Sequence, residues 1–88
     1  MASTRTYDDR VDDTILVGAL RISRLRHISL HEAIELHIEQ CRLNLDDGGG
    51  QMVEYWSHRI RRGEVLRERT AGELHKQAVD ALIREEKG

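Results

Sequence analysis

The chain has 88 residues, with one Cys, no Pro, no Phe and a formal net charge of −2, which indicates one small domain. A single Cys excludes an internal disulfide, and the longest apolar run, residues 15–20, is too short to cross a bilayer. The first ten residues contain no apolar run, so we expect no secretory signal, no membrane association and a cytoplasmic location.

The first predicted helix spans residues 9–26. Leu16 and Leu20, four residues apart, belong to an apolar stripe on one helical face. Aspartates precede this stripe and arginines follow it, an order that complements the helix macrodipole. Gly18 lowers helix stability by about 1 kcal/mol relative to Ala, and we interpret it as tolerated rather than as a helix contact.

The second predicted helix spans residues 30–45. Ser29 and Glu32 have the spacing of a capping box at its start. Its apolar face is predicted by residues at helical spacing: Ile34, Ile38 and Cys41. Two aspartates and three glycines follow, and consecutive glycines predict a loop because they are costly to order in a helix.

The third predicted helix spans residues 50–62. Its apolar face is predicted by Val53, Trp56 and Ile60. We expect Trp56 to lie at the centre of a small core or at a dimer core, where replacement by Ala would cost about 3–5 kcal/mol. Gly63 should end or bend this helix, although good helix formers continue to Arg69 and one longer helix is the alternative.

The fourth predicted helix spans residues 70–86. Thr70 and Glu73 form a second capping-box pattern, and Leu74 and Leu82 lie on the apolar face. The sequence therefore predicts an all-α fold, a bundle of about four helices in a single domain over residues 1–88, with residues 1–5 disordered. A chain this short buries only about 60–65% of its unfolded surface, so we expect a homodimer or a complex.

Several side chains are of types that could form a metal site or a catalytic site. His37 and Cys41 are four residues apart, as are His27 and His31, and Zn²⁺ accepts Cys and His ligands. With no second Cys, we interpret Cys41 as a buried thiol and expect no metal or cofactor. The aspartate pairs match a helix start, and no activated nucleophile is evident. We therefore predict that the protein is not an enzyme.

Two arginine clusters are candidate contacts to a protein partner or to DNA: Arg21, Arg24 and Arg26 in the first helix, and Arg59, Arg61 and Arg62 in the third. Tyr55 adjoins the second cluster, and interfaces favour Tyr, Trp and Arg. Phosphate contact would require the fold to bring both clusters together. The alternative interpretation is a solvated arginine face on a helix whose Trp lies in the core.

The segment 28–63 reads as helix, small-residue turn and helix, and its run QMVEYW occupies residues 51–56. This pattern resembles the Gln…Glu…Trp pattern of ParD-like antitoxins, which are ribbon-helix-helix proteins. The resemblance implies a dimer that binds double-stranded DNA through a paired strand, which would lie at residues 24–30. In the all-α interpretation these residues instead end the first helix.

Two hypotheses about function follow. The first is a small antitoxin-like regulator that binds DNA as a dimer and a protein partner through its C-terminal helix. The alternative is an all-α protein-binding inhibitor or adaptor, of mobile-element type, that does not bind nucleic acid.

Overall fold

In the computed structural model of the chain, which describes residues 5–48 and 50–87, four α-helices follow one another. They are α1 (Tyr7–Arg26), α2 (Leu30–Asp47), α3 (Val53–Arg67) and α4 (Ala71–Lys87). This confirms the predicted small all-α bundle. The described residues contain no strand, and residues 24–30 comprise the end of α1, a turn and the start of α2. A ribbon-helix-helix fold, which needs a strand there, is therefore not supported.

Side-chain caps determine where three of the helices begin. Thr6 and Asp9 form a reciprocal capping box, with bonds of 3.1 and 2.9 Å, so α1 begins two residues earlier than predicted. Ser29 accepts the backbone N–H of Glu32 at 3.1 Å, and Thr70 accepts that of Glu73 at 3.2 Å. These acceptors satisfy backbone donors that have no partner within the first helical turn.

The sequence predicts disorder for residues 1–5. Residues 1–4 lie outside the described residues. Arg5, by contrast, donates to the backbone carbonyl of Asp9 at 3.2 Å and pairs with the carboxylate of Asp13. The disorder of residues 1–5 therefore stays a prediction, and the contacts of Arg5 describe its geometry alone.

The third helix differs from its predicted bounds at both ends. Gly50 and Met52 have φ angles of 92° and 57°, and this left-handed backbone delays the helix start to Val53. The prediction that Gly63 ends the helix is wrong, because α3 continues to Arg67, which is close to the alternative of one longer helix to Arg69. Gly63 is buried against α2, and a Cβ added there would lie 2.7 Å from Cγ1 of Ile38. The glycine thus permits close packing of two helices.

The core lies between α1 and the other three helices, and α2 packs most extensively against α3. Predicted core residues that are buried are Leu16, Leu20, Ile34, Ile38, Cys41 and Leu74. Ile60 and Leu82 are half-buried against this core. Leu66 is fully buried but was not among the predicted core residues, because it lies beyond the predicted end of the third helix.

The buried face of α3 is not the predicted apolar face. Arg59, Gly63 and Leu66 are buried, whereas Val53 is 41% exposed and Trp56 is half-buried outside the core cluster. The buried face is turned by roughly a quarter-turn from the predicted one, at about 100° per residue. The placement of Val53 and Trp56 in the core of the chain is thus corrected: the contact at Gly63 decides which face of α3 meets α2.

Candidate protein-binding surface

The arginines of the first cluster lie on the second half of α1 and are exposed. Arg21 forms an ion pair of 2.9 Å with Glu85 of α4 on the protein surface. Arg24 and Arg26 occupy the last turn of α1, where positive charge complements the helix dipole. This cluster therefore has a structural role at the end of one helix, beside any role in binding.

The arginines of the second cluster have three different environments. Arg59, predicted as a surface contact, is buried, with its guanidinium carbon 5.6 Å from the centre of the Tyr55 ring. Arg62 is half-buried and holds Asp12 in a bidentate pair, with distances of 2.9 and 2.8 Å. Arg61 is exposed. Of these three, Arg61 alone remains an exposed candidate contact, because packing against α1 and α2 encloses the other two.

The fold does not bring the two arginine clusters together. Arg62 is held at Asp12, in the first half of α1, whereas Arg24 lies about 18 Å further along the same helix. A continuous basic surface that could follow a DNA backbone would need them side by side.

The acidic start of α1 holds α3 and α4 in place. Asp12, which is buried, pairs with Arg62 of α3, and Asp13 pairs with Arg84 of α4 through bonds of 3.0 and 2.8 Å. From their position at a helix start these aspartates were predicted to match the helix dipole, and the pairs were not predicted. Each partner is more than forty residues away along the chain, and no local pattern signals the pairing.

Next to the Asp12–Arg62 pair, His58 of α3 lies against the start of α1. Its ring stacks on that of Tyr7, with centroids 5.4 Å apart. Its Nε2 atom is 3.0 Å from Oδ1 of Asp8 but makes no hydrogen bond with good geometry, although it is buried. These contacts position the Tyr7 ring at the edge of α3.

A groove of about 730 Å³ opens where the starts of α1 and α3 meet, and we name it the α1–α3 groove. Its lining includes Tyr7, Val53, Tyr55, His58 and Arg61. Tyr7 is 59% exposed, as is Met52, which directly precedes Val53. Large apolar and aromatic side chains therefore face solvent together, although the chain has only three aromatic residues.

The Tyr55 and Trp56 rings meet edge to face at the start of α3, with centroids 4.8 Å apart. Tyr55 lines the α1–α3 groove, and its ring is also in contact with the Arg59 guanidinium. The aromatic pair is therefore part of the surface at the start of α3, and the core centre lies elsewhere, around Leu16, Ile34 and Leu66.

The His37–Cys41 pair predicted from spacing does form, with Nε2 and Sγ 3.4 Å apart. Burial, and then the nearby Arg59 charge, lowers the pKa of His37 to about 4, while burial raises the pKa of the Cys41 thiol. His31 instead contacts the backbone carbonyl of Arg69 at 2.9 Å. Within residues 5–48 and 50–87, no three potential metal ligands of the Cys, His and carboxylate types lie together.

Comparison of the chain with protein-family models, curated proteins and solved structures yields no match. Among the described helices, none has the length and apolar character needed to cross a membrane. The α1–α3 groove is therefore interpreted from its own geometry and chemistry.

Proposed function

We propose that the protein is a small non-enzymatic protein-binding module and that the α1–α3 groove contacts its partner. The observation that supports this most directly is the grouping of Tyr7, Val53 and Tyr55 at the groove, all exposed, with the exposed Met52 next to Val53 in the chain. Exposed apolar side chains that cluster in one place mark interaction sites more often than scattered ones do.

The groove has the chemical character of an interface. Tyr55 and Arg61 belong to the residue types that contribute most to binding free energy at protein interfaces. Glu54 and Arg61 supply a polar rim around the apolar centre. The partner that fits is a protein segment with apolar side chains for the centre and a carboxylate that reaches Arg61.

The groove is also held rigidly before any partner arrives. The bidentate pair of Asp12 with Arg62, and the stacking of Tyr7 on His58, attach the start of α3 to the start of α1. A binding surface that is already ordered loses less conformational entropy on association. This supports a role for the groove in recognition.

DNA binding has less support than protein binding. Arg59 is buried, Arg62 is paired and the two arginine clusters lie apart. The fourth helix, proposed from the sequence as a separate partner-binding tail, packs on α1 through Leu74, Ala78 and Ala81. An antitoxin-like regulator that acts only through its protein partner remains compatible with the proposal and would use the same groove.

The test is affinity capture with matched variants, followed by mass spectrometry. Val53→Glu places a charge in the groove, and Val65→Glu places the same charge on α3 outside the groove lining. Val53 is 41% exposed and Val65 is 42% exposed, so both substitutions should leave the fold intact. We expect a stoichiometric protein captured by the wild type and by Val65→Glu, and lost from Val53→Glu.

Equal capture by both variants would show that the partner binds elsewhere, and capture of no protein by the wild type would refute the proposal. A mobility-shift assay completes the test. The proposal predicts no preference for the chain's own upstream DNA over random DNA, and specific binding that weakens with rising salt would favour the DNA-binding regulator.

A further inference from the structure

A second groove, of about 590 Å³, lies between α1 and α4, and we name it the α1–α4 groove. Its floor includes Val17, Gly18 and Ala81. Four of the lining residues are arginines: Arg5, Arg10, Arg21 and Arg84. Two lining residues, Asp13 and Glu85, are acidic. The groove is therefore positive on a chain whose net charge is negative.

Part of this positive charge is available for a partner. Arg10 is exposed, and its guanidinium forms no ion pair with any of the described residues. Arg21 pairs with Glu85 while 63% of its side chain remains exposed. At Gly18 an added Cβ would meet no atom within 4 Å, so the floor has room for a side chain from outside.

The outward face of α2 has the opposite character. Exposed residues at helical spacing place four carboxylates and two leucines on this face: Glu32, Glu35, Leu36, Glu39, Leu43 and Asp46. None of the four carboxylates forms an ion pair within the described part of the chain. Leu36 and Leu43 are 37% and 51% exposed. We name this surface the α2 acidic face.

We infer that the protein binds a second copy of itself, with the α2 acidic face of one copy in the α1–α4 groove of the other. The two surfaces are complementary in both charge and apolar character. Exposed leucines meet an apolar floor at Gly18, and unpaired carboxylates meet Arg10 and Arg21 at its edge. Opposite charges on two surfaces guide association and determine their alignment.

Such a contact joins two different surfaces, so its geometry determines how many copies of the chain assemble. If each copy uses both surfaces towards the same neighbour, the contact closes as a symmetric dimer. If it does not, the contact repeats head to tail and larger species form. In both cases the association requires the same two surfaces and weakens with rising salt, because the charges at its rim are exposed.

The α1–α4 groove and the α2 acidic face share no residue with the lining of the α1–α3 groove. Self-association can therefore fail while partner capture succeeds, and the reverse also holds. The two proposals are independent of one another.

Sedimentation velocity over a range of protein concentrations tests the inference. We expect concentration-dependent association of the wild type, and a rise of about tenfold or more in Kd in either of two variants. Arg10→Glu changes the groove, and Glu35→Arg with Glu39→Arg changes the α2 acidic face. All three positions are exposed, and none of them forms an ion pair within residues 5–48 and 50–87. Circular dichroism checks that both variants are folded.

The decisive step is to mix the two variants, each of which lacks one surface. In the mixture, the unchanged acidic face of the Arg10→Glu variant can bind the unchanged groove of the Glu35→Arg, Glu39→Arg variant. The two changed surfaces also carry opposite charges, because the sign of the charge is reversed on both. We expect the mixture to associate more tightly than either variant alone, with a Kd lower by about tenfold or more. Gly18→Leu should also weaken association, because it fills the floor at a position where an added Cβ meets no atom within 4 Å, and circular dichroism checks that this variant is folded.

A wild-type protein that stays monomeric at high concentration would overturn the inference, as would variants that associate like the wild type. A monomeric wild type whose α1–α4 groove binds an acidic helix from another protein would overturn it too, because the occupant would then not be a second copy. Failure of the mixed variants to associate would show that these two surfaces are not partners.

Discussion

The contact between Gly63 of α3 and Ile38 of α2 provides the sharpest test of the fold. A Cβ at position 63 would lie 2.7 Å from Cγ1 and 3.3 Å from Cδ1 of Ile38. Carbon atoms in ordinary contact are about 3.5–4.0 Å apart, so the two helices would have to separate by about 1 Å. Ile38 is buried at 1% exposure, so its side chain is enclosed by the core.

We expect Gly63→Ala to destabilise the protein by about 0.5–2 kcal/mol. Overpacking of a filled core costs about 1–3 kcal/mol, and this is partly offset because Ala stabilises a helix by about 0.5–1 kcal/mol relative to Gly. For a domain of this size, each kcal/mol lowers Tm by about 4–8 °C. Urea denaturation followed by far-UV circular dichroism measures the change.

Gly18→Ala is the matched control, since the same substitution in α1 meets no atom within 4 Å. It should stabilise the protein by about 0.5–1 kcal/mol through helix propensity alone. A second control uses Ile38→Ala, which removes the clashing atoms: in that background Gly63→Ala should become neutral or stabilising. If Gly63→Ala is as stable as Gly18→Ala, the close approach of α2 and α3 is refuted.

Three further predictions concern the polar contacts and the aromatic pair. Asp12→Ala leaves the Arg62 guanidinium without its bidentate partner and should cost about 1–3 kcal/mol in urea denaturation, whereas the exposed Asp47→Ala should change stability by less than about 0.5 kcal/mol. Trp56→Ala should leave a folded protein and lower the free energy of unfolding by about 2 kcal/mol, which is below the range for a fully buried Trp, because the side chain is half-buried outside the core. A largely unfolded variant would show that Trp56 is a core residue. His37, whose pKa falls from 6.5 to about 4 on folding, binds fewer protons when folded, so its contribution to stability is lost as pH falls below about 6.5. Between pH 7 and 5 this loss should be about 1 kcal/mol, allowing for partial exposure, and His37→Gln should remove that part of the pH dependence in denaturation curves.

The helices themselves could be predicted because their signals are local. The spacing of Ile34, Ile38 and Cys41 and the caps at Ser29 and Thr70 each depend on residues within one or two helical turns. The capping box of Thr6 with Asp9 has the same kind of signal, a Thr followed three residues later by an acid, and could have been found by extending the pattern to Asp.

The candidate site was predicted only in part. Tyr55 and Arg61 were identified as surface contacts and do line the α1–α3 groove. Tyr7 was not, because its place beside His58 depends on how α1 packs against α3. The α2 acidic face could be recognised from helical spacing alone, but its complement, the α1–α4 groove, exists only where two helices far apart in the chain lie side by side.

The sequence by itself determined the number of helices, their approximate bounds and the all-α class, because backbone hydrogen bonding and hydrophobic periodicity act over a few residues. Only the tertiary structure decided which face of α3 is buried. Apolar spacing favoured Val53, Trp56 and Ile60, yet the contact of Gly63 with Ile38 places Arg59 and Leu66 inward. The physical reason is that the buried face of a helix depends on how closely two helix surfaces fit together. It also depends on ion pairs such as that of Asp12 with Arg62, whose members meet only after the chain has folded.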